Sequence, residues 1–353
     1  MRSNQPTFRC EADVLEGLAP LARDELQRRL GDAVRLGGAP RPDALGFTYR
    51  GPLADLLDLR SVVAVSLVHA FAVPRPKALL GHQHWAVMAE MIGQAMELWP
   101  PGRFQSLRLS AAGAESSVMQ RIQQEIAQHT GLRPDAEEGD LLLRLRRAPD
   151  GWELLVRLSP RPLATRPWRV CNMPGALNAS LAHAMAHLTQ PSPVDRVINL
   201  MCGSGTLLVE RLALARAALA LGCDTDPAAL ECARQNLAAA EGYELPHGQP
   251  VRLEPWDATA VPMPDASFDV LLADLPFGQL IGSHRENEET YPRLLAEATR
   301  LAAPGARMAL ITHEVRLLER AAAPFEAYWA LQDVIPVRSG GMTPRIFLWR
   351  RAR

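Results

Sequence analysis

Two stretches of the chain combine residue types that could bind a nucleotide-like ligand and act on it. In residues 196–210, an apolar run rich in β-branched residues ends in CGSGT (202–206) and continues as an amphipathic segment. In residues 268–286, a second apolar run delivers a carboxylate to a rigid corner, DLPFG (274–278). A strand, a Gly-rich turn and a helix in this order are typical of the edge of a nucleotide pocket. We therefore predict a cofactor loop and a catalytic corner on one parallel sheet.

The turn at 202–206 suits a close approach of the backbone to a ligand. Gly203 and Gly205 permit a tight turn, and a helix starting at Thr206 presents free backbone N–H groups. A Gly-x-Gly pair could also serve a dinucleotide, but the third glycine of that fingerprint is replaced by Leu208. The residues that we assign to cofactor binding here are Asn199 at the strand end, Cys202, Gly203, Gly205 and Thr206.

Acidic residues follow each of the next two predicted strands. A carboxylate after the first of them, ALALGCDTD (218–226), is expected to accept hydrogen bonds from the ribose hydroxyls of a nucleotide. Asp226 precedes Pro227 and a long helical pattern, which favours a helix N-cap and leaves Asp224 as the ribose acceptor. Asp257, after the next strand, could accept the adenine amino group or bond its own turn. All three acids remain candidates for cofactor binding.

The composition is that of a globular protein with two or three domains. The 353 residues are 48% hydrophobic and carry a formal net charge of -1. Because a near-neutral chain exerts no global attraction on nucleic acid, any RNA contact must come from local clusters. The N-terminal residues include acids where a signal peptide needs an apolar core, and charges interrupt the most apolar later stretch, 207–221. We therefore predict a cytoplasmic protein without a membrane segment.

The cysteines and histidines give no metal-binding pattern. The five cysteines are scattered and lack Cys-x-x-Cys spacing, which argues against a disulfide framework and against a zinc site. His183 and His187 lie four residues apart on a predicted helix, but no third ligand is near them in sequence. We interpret them as histidines on a helix surface and predict no metal.

The second half of the chain resembles class I S-adenosylmethionine-dependent methyltransferases. In particular, DLPFGQLIGSHRENEETYPRLL (274–295) is similar to the THUMP-domain tRNA guanine N2-methyltransferases, the TrmN/Trm14 group, in which a Leu-Pro-aromatic-Gly corner precedes a Gly-Ser-His stretch. The resemblance covers residues 165–353. Asn199 stands where an Asp is more usual in this group, and Met201 where an aromatic residue is common. The resemblance implies a Rossmann-like α/β fold with S-adenosylmethionine as cofactor.

The resemblance also implies roles for the corner. An exocyclic amine is a poor nucleophile because its lone pair is conjugated into the ring, so the site must accept its N–H and aim its nitrogen at the methyl group. The Asp274 side chain and the Leu275 carbonyl could both accept. Pro276 fixes the turn, and Phe277 offers a face on which a base can stack. A plain Asp-x-Pro-x-Gly turn is the alternative interpretation.

The first half of the chain alternates short strands and helices. A helix opening at Pro52, a helix from Ser116 or Ser117 to Gly131, and a hairpin turning at 149–151 are among the predicted elements. Their order resembles the modules that precede the methyltransferase half in tRNA-modifying enzymes. We predict three domains: a ferredoxin-like domain at 1–70, a THUMP RNA-binding domain at 71–164 and the methyltransferase domain at 165–353.

The segment that joins the halves allows two interpretations. Its three arginines and one tryptophan either belong to a solvated linker or face RNA phosphate, beside a helix from about Leu177 to Leu188 that closes over the cofactor. These residues are Arg161, Arg166, Trp168 and Arg169.

We predict a monomeric enzyme that transfers a methyl group from S-adenosylmethionine to the exocyclic N2 of a tRNA guanine, with the acceptor stem as the expected location. The alternatives are a ribosomal RNA or adenine N6 methyltransferase, and a non-catalytic RNA-binding protein that retains the fold.

Overall fold

The structure, a computed structural model, describes residues 6–242, 244–245, 247–276 and 283–352. The chain divides into two compact units. One comprises residues 1–14 and 19–164, and the other comprises residues 15–18 and 165–353. No helix in the described part of the chain is both long and apolar enough to cross a membrane.

The first unit is built on one mixed sheet packed against helices. Its described strands are β1 (Phe8–Asp13), β2 (Val34–Leu36), β3 (Ala44–Tyr49), β4 (Ala64–Phe71), β5 (Ser106–Ala111), β6 (Arg133–Pro134), β7 (Leu141–Ala148) and β8 (Gly151–Arg157). They lie in the order β2-β3-β1-β4-β8-β7-β5-β6. The described α-helices of this unit are α1 (Ala19–Leu30), α2 (His82–Met96) and α3 (Ser117–Thr130). The domain boundary predicted at 70/71 lies within β4, in the middle of this sheet.

The helix cap and the hairpin turn predicted in the first unit form at the predicted positions, whereas the helix predicted after Pro52 does not form. The Ser116 side chain accepts a hydrogen bond from the Met119 N–H and caps α3, and Gly131 ends the helix at a φ of 72°. The β7–β8 hairpin turns between Ala148 and Gly151. The helix predicted after Pro52 is instead a short 3-10 helix, Leu53–Asp58, followed by extended backbone at Leu59.

The second unit is a doubly wound α/β sheet. Its described strands are β9 (Arg196–Leu200), β10 (Leu219–Cys223), β11 (Val251–Glu254), β12 (Phe268–Asp274), β13 (Ala302–Thr312), β14 (Trp329–Pro336) and β15 (Arg345–Arg351). Their order is β11-β10-β9-β12-β13-β15-β14, in which β15 is antiparallel to both of its neighbours. The described α-helices are α4 (Ala179–Leu188), α5 (Thr206–Leu214), α6 (Pro227–Ala240), α7 (His284–Leu301) and α8 (Val315–Ala322). This is the Rossmann-like fold expected from the sequence.

The strand order places the site. The chain winds outward from β9 through β10 to β11, then returns to β12 on the other side of β9. In such sheets a ligand binds in the crevice outside the carboxyl ends of the strands where the order reverses. Residues that follow β9, β10 and β12 therefore meet at one edge, although the sequence separates them by up to 75 positions.

Candidate active site

A cavity of about 330 Å³ opens at the carboxyl ends of β9, β10 and β12. Residues from both stretches singled out in the sequence line it, together with a wall, residues 173–177, that precedes α4. The candidate residues that line this cavity are Asn199, Cys202, Gly203, Thr206, Asp224, Asp226, Asp274, Leu275 and Pro276. The cofactor loop and the proposed catalytic corner thus share one cavity.

The loop after β9 has the backbone that a close ligand approach requires. Gly203 has a φ of 52°, and a Cβ added there would meet no atom within 4 Å, so this face of the loop is open. Gly205 has a φ of 77°, and its added Cβ would lie 3.1 Å from Ala233 Cβ on α6. Gly205 therefore serves helix packing rather than the cavity wall. Met201 also has a positive φ, of 50°, an uncommon conformation for a side-chain-bearing residue that is often found at functional sites.

Asp224 organises the loop as well as facing the cavity. Its Oδ2 accepts a hydrogen bond from the Gly203 N–H at 2.8 Å, and its Oδ1 accepts one from the Asp226 N–H at 3.0 Å. Asp226 caps α6, because its side chain accepts from the Ala228 N–H at 2.8 Å. The N-cap predicted for Asp226 is confirmed, while the assignment of Asp224 to the ribose remains a prediction.

Asp257 lies at a neighbouring cavity of about 210 Å³, which shares Met201 and Asp224 with the first. Its Oδ1 accepts hydrogen bonds from the Thr259 N–H and hydroxyl, each at 2.8 Å, as the turn interpretation predicted. Its side chain is half exposed, and the other carboxylate oxygen lies 4.0 Å from Arg293. Asp257 thus bonds its own turn and still borders space next to the ribose candidate.

The hydrogen bonds of Asn199 indicate whether the cavity could hold a nucleoside that carries an amino-acid group. Its Nδ2 donates to the carbonyls of Leu200 and Leu272, both at 3.2 Å, which fixes the orientation of the amide. Its Oδ1 is buried and finds no hydrogen-bond partner among the described residues. A buried acceptor without a partner costs about 1–3 kcal/mol, and an ammonium group in the cavity would satisfy it. This acceptor, the Asp224 carboxylate and the open backbone at Gly203 line the same cavity, and together they fit the amino group and ribose of S-adenosylmethionine.

The corner after β12 holds a carboxyl group with an unusual acidity. Burial raises the pKa of Asp274 to about 7, because desolvation penalises its charged form. The Leu275 N–H donates to the Ile311 carbonyl at 2.9 Å, which continues the β12–β13 pairing past the end of the strand. Phe277, assigned to base stacking, lies outside the described residues.

The wall at 173–177 is fastened by contacts that the sequence did not reveal. Arg169 donates to the Leu177 carbonyl at 2.6 Å and to the Thr206 hydroxyl at 2.5 Å, joining the wall to the start of α5. Asn236, fully buried on α6, bonds the backbone of Cys171 and donates to the Ser204 carbonyl. Apart from Leu177, the partners of both residues lie more than 30 positions away, so no local pattern marks these contacts.

The argument against disulfides from cysteine spacing is wrong. Cys171 and Cys232 form a disulfide with a Cα–Cα distance of 5.4 Å. They are 61 residues apart in sequence; Cys171 precedes α4 and Cys232 lies on α6, so the fold of the second unit brings them together. The disulfide joins the segment before the cavity wall to α6. The spacing of the cysteines along the chain could not predict it, because the two residues become neighbours only in the folded unit.

Neither interpretation of the joining segment, a solvated linker or a set of arginines facing RNA, holds over its whole length. Arg166 and Trp168 are buried, and the Arg166 guanidinium lies 2.8 Å from Glu210 on α5. His183, predicted on a helix surface, is buried with its Nδ1 3.2 Å from the same carboxylate. Arg161 is exposed and pairs with Glu138.

Within the described residues, no cluster of acidic, histidine or cysteine side chains could hold a metal ion.

Residues 166–342 match the family model of the RMKL-like methyltransferase domain, UPF0020. Among curated proteins, the tRNA (guanine(6)-N(2))-methyltransferase THUMP3 of Mus musculus is 28% identical over 185 residues, which are 50% of this chain and 37% of the mouse protein. The tRNA (guanine(6)-N2)-methyltransferase of Thermus thermophilus is 29% identical over 232 residues, covering 65% of this chain and 66% of that protein. The chain thus spans little more than a third of the mouse relative.

Among solved structures, TrmN from Thermus thermophilus superposes with a TM-score of 0.73 and 24% identity, covering 98% of this chain and 99% of that one. A putative methyltransferase, SMU.472, solved in complex with SAH, superposes with a TM-score of 0.69 and 14% identity over 97% of both chains. At these identities the structural matches establish the fold.

Proposed function

Because the chain belongs to the UPF0020 family of RMKL-like methyltransferase domains, we propose that it transfers a methyl group from S-adenosylmethionine to the exocyclic N2 of a guanine in tRNA. The observation that carries the proposal is the shared cavity. The Asp274-Leu275-Pro276 corner and the glycine loop, which come from different strands, line the same space.

Six residues are proposed to hold the cofactor. The Asn199 Oδ1 accepts from its amino group, the open backbone at Gly203 approaches it closely, and Asp224 accepts from the ribose hydroxyls. Asp257 accepts from the adenine amino group, while Cys202 and Thr206 complete the loop. Gly205 and Asp226 support this arrangement through the packing and capping of α6. When bound, S-adenosylmethionine supplies a methyl group activated by a positively charged sulfur.

The corner then binds and orients the amine. The Asp274 carboxylate and the Leu275 carbonyl accept the two N–H hydrogen bonds, which turns the nitrogen lone pair toward the methyl group. The proton that the amine nitrogen loses on methylation passes to Asp274, whose pKa of about 7 suits a transient proton acceptor. Pro276 restricts the turn, and Phe277 stacks on the base. Proximity and alignment supply most of the acceleration.

The substrate is proposed from the relatives, whose names specify guanine 6 of tRNA. A paired guanine must be flipped into the cavity at a cost of a few kcal/mol, which phosphate contacts elsewhere on the protein offset. We assign those contacts to a ferredoxin-like domain at 1–70 and a THUMP domain at 71–164, which recognise RNA by shape and backbone. The enzyme is proposed to act as a monomer in the cytoplasm.

Methyl transfer to RNA from a strain that lacks this gene tests the proposal. The protein is incubated with labelled S-adenosylmethionine and total RNA, and the nucleosides of each RNA fraction are analysed. Label in N2-methylguanosine from tRNA, lost with Asp274→Ala, is the expected result. Label in ribosomal RNA or in N6-methyladenosine contradicts the proposed substrate, and cofactor binding without any label contradicts the proposed reaction.

A further inference from the structure

Two buried side chains of α7 converge on one backbone atom of the corner. The Asn287 Nδ2 donates to the Pro276 carbonyl at 2.8 Å, and the Tyr291 hydroxyl donates to the same oxygen at 2.6 Å. Asn287 is 1% exposed and Tyr291 is fully buried. The two residues are four apart and therefore lie on the same face of the helix. Neither lines the cavity, whereas Pro276 does.

A chain of hydrogen bonds runs from Glu314 through Thr312 and Tyr291 to Pro276. The direction of each bond follows from the two groups at the ends of this chain. The Glu314 N–H can only donate, and it donates to Thr312 Oγ1 at 2.9 Å. The Pro276 carbonyl can only accept. The Tyr291 hydroxyl proton is therefore committed to Pro276, and its oxygen accepts from the Thr312 hydroxyl at 2.8 Å. Burial raises the pKa of Tyr291, so the phenol stays protonated and remains a donor.

These donors fix the backbone torsion of Pro276 that the proline ring leaves free. The proline ring sets φ at residue 276, and the Leu275 N–H is already held by the Ile311 carbonyl. Two donors on the Pro276 carbonyl fix ψ as well. With φ and ψ both set, the peptide that carries the Leu275 carbonyl and the adjacent Asp274 keep one orientation toward the cavity.

We propose that Asn287 and Tyr291 are positioning residues for methyl transfer: by holding the Pro276 carbonyl they aim Asp274 and the Leu275 carbonyl at the amine. This inference rests on the proposed function. It differs from a purely structural role because misaligned acceptors slow the reaction, by roughly 10- to 100-fold for a displacement of about 1 Å, without touching the cofactor residues.

The test compares Tyr291→Phe, Asn287→Ala and the double variant with wild type. Each measurement gives kcat and KM for tRNA, the dissociation constant of S-adenosylmethionine and the melting temperature. We expect each single variant to lower kcat about tenfold and the double variant to lower it by about 100-fold or more, because each single variant leaves one donor in place. The cofactor dissociation constant is expected to stay within about twofold of wild type, because neither substitution removes a hydrogen bond to the cofactor.

Tyr328→Phe is the matched control, since Tyr328 is half exposed and belongs to the same unit. It should change none of these quantities. Thr312→Val adds a milder variant that keeps both donors but removes the hydroxyl orienting Tyr291, and it should lower kcat less than Tyr291→Phe. A folded double variant with wild-type kcat, or a loss of cofactor affinity in parallel with kcat, overturns the inference alone. No transfer by wild type overturns the proposed function and this inference with it.

Discussion

Asp274 can take up the proton of the amine only while its carboxyl group is ionised, and burial raises its pKa to about 7. We therefore predict that kcat rises with pH through about 7 and levels off above it. Below that pH the carboxyl group already holds a proton and cannot take up the one that leaves the amine. The measurement is kcat at saturating substrates between pH 5.5 and 8.5, and a flat profile would contradict the role given to Asp274.

A rise in pH, which should increase kcat through Asp274, should decrease the contribution of the same residue to the stability of the fold. Since its folded-state pKa lies above the ordinary 3.8, the folded protein holds the proton more tightly than the unfolded chain does. Asp274 therefore contributes stability below about pH 4 that is lost as the pH rises through 7. The Asp274→Asn variant, which has no titratable group at this position, should melt at a higher temperature than wild type at pH 8. The difference should vanish near pH 4.

Asp224 and Asp226 are adjacent acids with separable roles. We predict that Asp224→Ala weakens S-adenosylmethionine binding by about 1–3 kcal/mol, because hydrogen bonds from the ligand to a charged group are lost. Asp226→Ala should instead lower stability by about 1 kcal/mol through loss of the α6 cap, with affinity nearly unchanged. Calorimetric titration and thermal melting of both variants check this. The reverse pattern would move the ribose contact to Asp226.

At the residue scale, the sequence predicts what is decided within a few positions. The cap at Asp226 and the turn at Asp257 follow from neighbouring residues. Arg169, Asn236 and Tyr291 could not be found this way, because their roles depend on atoms that only the fold brings near.

At the element scale, the Cys171–Cys232 disulfide ties the segment before the cavity wall to α6. Closing a loop of this length should stabilise the protein by about 4 kcal/mol in the chain-entropy description. We predict that the Cys171→Ser/Cys232→Ser variant melts at a lower temperature and binds S-adenosylmethionine more weakly, because the wall is held less firmly. Wild type with a thiol reductant should match the variant, and the reductant should not change the variant. A reductant effect on both would indicate a different cause.

Elements were predictable where start and stop signals agree. Helix α3 has a Ser cap and a terminal glycine, and it forms between them. The segment after Pro52 has only the start signal, and six residues are too few to offset the cost of nucleating an α-helix, so a 3-10 helix forms instead. The Rossmann-like fold of the second unit was expected from resemblance to a known family, because strand composition alone does not specify which strands are neighbours.

At the scale of the whole molecule, a net charge of -1 limits how RNA can be bound. Arginines on the first sheet are partly compensated, since Arg144 pairs with Asp13 and Arg146 pairs with Glu11 and Glu153. Affinity for tRNA should therefore depend on a few phosphate contacts and fall about tenfold or more between 50 and 200 mM salt. Binding of S-adenosylmethionine, measured in the same buffers, is the control and should change little. Salt-independent tRNA binding would exclude phosphate contacts as its main source.

The disulfide also changes what a protease can separate. The covalent ring that it closes contains β9, the glycine loop, α5 and β10. A single cut anywhere between residues 172 and 231 leaves the two fragments linked, so the nicked chain migrates as one species on a denaturing gel without reductant. Addition of a reductant resolves it into two. The segment that holds the cofactor loop is thus a covalently closed ring, and a single cut in it shows on the gel only after the disulfide has been reduced.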